Sequence, residues 1–123
     1  MAWCRVVRLS GCHEPHLATP LEAALLAAFH EIYKDRGFPS PDRLRVRCRE
    51  NTGSGRYVDI ESLDTTRLDD GYLDLGGRFI EMPKVPNGLM AVVRIEDHRV
   101  RQIEISVYGE DPWDGEERNW KIV

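Results

Sequence analysis

Long hydrophobic runs are missing from this sequence. The longest unbroken apolar stretch is Ala23 to Phe29, seven residues, whereas a membrane-spanning helix needs about 18 or more. A bilayer-crossing helix is excluded. Cysteine is scarce as well: Cys4, Cys12 and Cys48 are odd in number and irregular in spacing, unlike the even framework of a small secreted scaffold. The expectation is three thiols and no disulfide. The first residues reach only Val6-Val7 before Arg8 interrupts them, too short for the apolar centre of a secretory leader, so cytoplasmic residence is expected.

Several chemistries lack their residues. Gly53, Gly55, Gly71, Gly76 and Gly77 do not form a glycine-rich turn leading into a helix, as phosphate binding requires, so no nucleotide cofactor is expected. His30 and His98 have no neighbouring carboxylate arranged as a catalytic dyad needs. The run Cys12-His13-Glu14-Pro15-His16, with Cys4 upstream, offers sulfur and nitrogen donors but matches no metal-binding spacing, and an ordinary loop is the expectation. Cys48 takes an inward strand position and reads as a buried core thiol, not a nucleophile. The residues therefore point away from an enzyme.

What the sequence does contain is 123 residues with 31% charged and 41% apolar residues, the balance of a single globular domain spanning residues 1–123. Its net charge of −4 is uneven. Residues 1–50 carry eight basic and six acidic side chains, whereas residues 51–123 carry nine and fifteen. The acidity belongs to the second half. Such a surface does not attract nucleic acid, whose binding depends on Lys and Arg displacing counterions; a basic protein is the partner it suits.

The periodicity predicts one helix followed by strands. Thr19, Pro20 and Glu22 combine an N-cap, a first-turn proline and a capping box. Leu21, Leu25, Ala28, Phe29, Ile32 and Tyr33 then recur on one helical face, and Gly37 with Pro39 stops the helix near residue 36. A short strand over residues 2–9 is a weaker expectation. From Arg43 the period becomes two: residues 43–49 and 56–61 read as a hairpin around the Asn51–Gly55 loop. Residues 78–82 read as an edge strand confined by Pro83 and Pro86, with Pro86-Asn87-Gly88 turning into a central strand over 89–95. Residues 101–108 form the last strand. The fold class is α+β, one amphipathic helix on an antiparallel sheet of about four to six strands.

The four arginines at 43, 45, 47 and 49 fall on one face of a strand, where they could grip phosphates. The hairpin register that matches Val46 to Ile60 and Cys48 to Val58 instead sets Arg45 against Glu61, Arg47 against Asp59 and Arg49 against Tyr57. That reading is a cross-strand charge ladder, and it is the stronger of the two.

The densest acidic feature is Glu110, Asp111, Asp114, Glu116 and Glu117 around Trp113. One reading is a solvated loop with its tryptophan tucked against the sheet. The functional reading is a partner-binding surface, because tryptophan is a favoured interface anchor and carboxylates speed encounter with a basic surface. Asp69 and Asp70 are candidates to extend it. A second function class is a small enzyme or small-molecule-binding domain, with a pocket between helix and sheet lined by Tyr57, Tyr72 or Tyr108 and by Asp59 or Glu104.

From residue 47 to 113 the chain carries a glycine-rich hairpin (Gly53-Ser54-Gly55), an Asn87-Gly88 approach to an apolar strand, and a final strand leading to Asp111-Pro112-Trp113. In these features it resembles small uncharacterised bacterial α+β proteins. The resemblance implies no assigned activity and no functional residue. Some small proteins of this general type are immunity proteins that neutralise toxins, and an immunity-like binding role is the expectation drawn from that analogy.

Overall fold

A capping box starts the first of the described elements. In the computed structural model, which describes residues 17–123, the Thr19 hydroxyl accepts from the Glu22 N–H at 3.1 Å and the Glu22 carboxylate accepts from the Thr19 N–H at 3.0 Å. Helix α1 spans Pro20–Tyr33, continues as a 3₁₀ turn over Lys34–Arg36, and ends at Gly37, whose φ of 89° needs no Cβ-bearing residue. Leu21, Leu25, Ala28 and Phe29 are buried as the periodicity requires, and Leu26 joins them. Ile32 is exposed and Tyr33 is only partly covered, so the stripe loses its cover in the last turn.

Among the described residues, seven strands make one antiparallel sheet: β1 (Leu44–Asn51), β2 (Gly55–Ser62), β3 (Gly71–Leu73), β4 (Ile80–Met82), β5 (Val85–Glu96), β6 (Arg99–Val107) and β7 (Lys121–Ile122). The spatial order is β1-β2-β6-β5-β4-β7, and β3 also pairs with β5. The α+β class stands, with three-residue β3 and two-residue β7 too short for the periodicity to reveal. Two local expectations are corrected. Strand β4 is not an edge, because β7 pairs with it. Pro86-Asn87-Gly88 is not a turn but part of β5; the chain reverses at Pro83 and Lys84 instead, and Gly88 takes φ 77° inside the strand.

Helix α1 and one sheet face share a single core, to which the sheet contributes Val46, Val58, Ile60, Val93, Ile103 and Ile105. Alternation along each strand is what concentrates these residues there. The β5–β6 turn is tight: Asp97 and His98 both have positive φ, and the Asp70 carboxylate accepts both of their N–H groups at 3.1 and 2.9 Å. Among the described residues no helix is long and apolar enough to cross a membrane.

The first hairpin holds its register only as far as Val46. Val46 opposes Ile60 and Arg45 opposes Glu61 as expected, but a bulge then makes Cys48 oppose Asp59, Arg49 oppose Val58 and Glu50 oppose Tyr57. One extra residue in a strand reverses the facing of everything after it. The charge ladder is thus reduced to Arg45 and Glu61, 3.9 Å apart and largely solvated, beside a two-point contact from Arg43 to Asp64 at 2.8 and 2.9 Å. Cys48 is buried as expected, on the Asp59 face of the sheet, and it is disulfide-bonded. For this cysteine the burial stands and the expectation of a free thiol is corrected. The other sulfur, like the readings of residues 2–9 and of Cys12, His13 and His16, lies outside the described residues.

Gly55 tests the β2–β6 seam. A Cβ placed there would stand 2.3 Å from the Ile105 carbonyl oxygen, which no side-chain rotation can relieve. Gly55→Ala should cost about 1–3 kcal/mol, as overpacked sites do, and urea unfolding measures it. An unchanged midpoint would refute this account of the seam.

Candidate functional site

The bulge that spoils the arginine ladder creates the most polar cluster in the interior. Past it, Arg49 faces α1 and clamps Glu22 with two hydrogen bonds, Nε to Oε2 and Nη2 to Oε1, both 2.6 Å. Arg56 is on the same sheet face as Val58 and Ile60, two and four residues along β2, and it is likewise buried. Its guanidinium donates to Asn51 Oδ1 at 2.8 Å, Glu22 Oε2 at 3.1 Å, Glu117 Oε2 at 2.5 Å and the Gly115 carbonyl at 2.7 Å. The other oxygen of Glu117 accepts the Leu21 N–H at 3.1 Å, so a C-terminal side chain satisfies an otherwise unpartnered donor in the first turn of α1.

Two arginines and two glutamates balance in charge, and the shared hydrogen bonds offset the desolvation that makes isolated buried ions costly. Burial pushes the Glu22 carboxyl up, but the Arg49 hydrogen bonds, the Thr19 N–H and the charges of Arg49 and Arg56 outweigh it, so Glu22 is held below the ordinary glutamate value. The positive end of the helix dipole also favours the charged form of Glu22, in the first turn of α1.

This cluster decides how the acidic C-terminal loop is displayed. Trp113 is 3% exposed and belongs to the core. Its ring lies 4.9 Å from the Arg56 guanidinium carbon, its Nε1–H donates to the Glu116 carbonyl at 2.9 Å, and its backbone N–H donates to Gly53 in the β1–β2 turn at 2.8 Å. The tryptophan is the plug that seats the loop. Glu117 points inward with it. Glu110, Asp114 and Glu116 are exposed and Asp111 half-exposed. Local bonds hold two of them in place: Asn87 Nδ2 donates to Asp111 at 3.2 Å, and the Glu116 N–H donates to Asp114 at 2.9 Å.

Asp69 and Asp70 are not part of this surface. Asp70 caps the β5–β6 turn, and the N–H groups of His98 and Asp97 hold its carboxyl below the usual range. The acidic loop follows the far end of β6, a nine-residue strand, and so lies about 30 Å away at the usual rise per residue. The residues of the alternative pocket are also separated from the helix. Tyr57 opposes Glu104 and Asp59 opposes Gln102 on the sheet face away from α1, and Tyr72 reaches that face through its pairing with Arg94.

The capping box explains only part of what Glu22 does, and the hairpin pattern gives Arg56 no role, although both residues carry a signal. Glu22 stands three, four and seven residues before Leu25, Leu26 and Phe29, in the middle of the apolar stripe. Arg56 shares the alternation of Val58 and Ile60. A charged residue at a core position of each element marks a buried pair. Comparison with protein-family models, with curated proteins and with solved structures finds no match for this chain.

Removing the hub should release the loop. Arg56→Met should cost about 3–5 kcal/mol by leaving Glu22 and Glu117 buried without their shared partner, and it should move the Trp113 amide signal while the β5 amides keep their shifts. An unmoved Trp113 signal would contradict a local latch. Glu22, with its folded-state pKa depressed, contributes stability that is complete above the ordinary value of about 4.3 and is lost as pH falls through it toward the depressed value. The stability gap between the wild-type chain and Glu22→Gln should therefore narrow on acidification in urea titrations. A gap independent of pH would remove Glu22 as the titrating member.

Proposed function

We propose that this chain is a small protein-binding domain, immunity-like in role, that neutralises a basic protein partner through the acidic surface of its C-terminal half. The observation that carries the reading is the division of labour in the 110–117 loop. Trp113 and Glu117 face inward and immobilise it, while Glu110, Asp111, Asp114 and Glu116 stay at the surface. Charges held on a rigid loop lose little conformational freedom on binding and steer a cationic partner into place. The −6 balance of residues 51–123 adds to the same field. Trp113 acts here as the support of the surface.

The test is a comparison of the wild-type chain with a variant carrying Glu110→Gln, Asp111→Asn, Asp114→Asn and Glu116→Gln, which keeps one acceptor oxygen on each side chain. Immobilised wild-type chain should retain a basic protein from its source cells at low salt. The variant should associate with that protein about tenfold more slowly, with a flatter salt dependence, while its own stability moves by about 0.5 kcal/mol or less. Equal association rates for the two chains would refute the proposal.

Cytoplasmic residence belongs to the same proposal, and the Cys48 disulfide weighs against it, since reducing cytosol keeps cysteines as thiols. Alkylation of protein quenched directly from cells decides the matter. Labelling of all three cysteines supports the cytoplasm; labelling of one places the chain in an oxidising compartment.

A further inference from the structure

Beside the acidic loop lies an open depression of about 400 Å³ lined by Gly53, Lys84, Val85, Pro112, Trp113 and Asp114. Its lining brings together three elements that are distant in sequence: the β1–β2 turn, the β4–β5 turn and the C-terminal loop. Val85 and Trp113 are nearly buried core residues and provide an apolar floor, while Pro112 is an exposed apolar wall. The rim is charged on both sides, with Asp114 on the loop and Lys84 on the β4–β5 turn, both exposed. The Gly53 to Trp113 hydrogen bond ties two of the three elements together, so the depression is formed before any ligand arrives.

We infer that this depression receives one large apolar side chain from the basic partner, flanked in the partner's sequence by lysine or arginine; the inference rests on the protein-binding role proposed above. Charge complementarity chooses the occupant. Three further carboxylates, Glu110, Asp111 and Glu116, share the loop with Asp114, against Lys84 across the depression and Arg118, which is 3.5 Å from Glu116. An apolar ligand with acidic neighbours would meet like charge on the loop. One with basic neighbours gains an ion pair at the rim while its apolar group leaves water. Interfaces commonly use this arrangement, an apolar anchor in a pocket with a polar rim that fixes orientation.

Three synthetic pentapeptides, blocked at both ends, separate the possibilities: Lys-Lys-Trp-Lys-Lys, Lys-Lys-Ser-Lys-Lys and Glu-Glu-Trp-Glu-Glu. Each is titrated into the ¹⁵N-labelled full chain at low salt while amide shifts are followed. The basic tryptophan peptide should bind about ten- to a hundredfold more tightly than the serine peptide, the gain expected from burying one large apolar side chain. It should shift the Gly53, Lys84, Val85 and Asp114 amides, whereas the acidic peptide should leave them unmoved. Pro112→Trp, which adds bulk from an exposed wall position, should abolish the advantage of tryptophan over serine without lowering the urea midpoint. If both basic peptides shift the loop equally, the anchor site is overturned and the acidic binding surface stands. If neither shifts it, both readings fall. An acidic peptide that binds as well as the basic one overturns the choice of occupant.

Discussion

The guanidinium of Arg56 is the point on which three parts of this chain converge. The start of α1 reaches it through Glu22, the β1–β2 hairpin through Asn51, and the C-terminal loop through Gly115 and Glu117, with the Trp113 ring near it. A planar cation with a fixed fork of donors can serve several acceptors lying in different directions, which a lysine ammonium does not do with the same geometry. Because the site is shielded from water, each missing acceptor would leave charge uncompensated, so the cluster is stable only when complete. Helix start, hairpin and loop are therefore coupled in placement.

That coupling links the interior to the surface. The loop has few backbone pairings of its own, and its conformation depends on what its inward side chains find. Trp113 finds the core and the Gly53 carbonyl; Glu117 finds Arg56 and the first turn of α1. Once these are seated, the intervening acids have nowhere to turn but outward. The same seating shapes the depression beside them, because Trp113 is at once part of the core and part of its floor. A binding surface made this way costs little to order when a partner arrives.

Much of the architecture could be read from local pattern, and for a definite reason. Capping chemistry at Thr19 and Glu22, the helical stripe from Leu21 to Phe29, and the period-two runs in β1, β2 and β6 each involve residues within one or two turns or strands. Their physics is local. The same holds for Gly37 at the helix end. Where pattern misled, a neighbour distant in sequence had intervened. Pro83 and Pro86 argue for an edge, yet β7 covers β4 from more than thirty residues away. Gly88 suggests a turn, yet it is the residue at which β5 passes close to Phe79, with a hypothetical Cβ only 2.8 Å from that ring.

The functional surface divides along the same line. Composition and order of residues by themselves determined an acidic second half, an aromatic in the middle of five carboxylates, and charged residues at inward positions of α1 and β2. Only the tertiary structure decided which carboxylates remain outside. Glu117 and Glu116 are adjacent and chemically identical, but one is drawn into the Arg56 cluster and the other left in water. Asp69 and Asp70 resemble the loop acids in every local respect and lie at the other end of the sheet. A single bulge after Val46 turned Arg49 from a solvated ladder toward Glu22. The physical reason is that a charge is worth little in water and much when buried beside its opposite, and burial is a property of the assembled fold, not of the sequence around the residue.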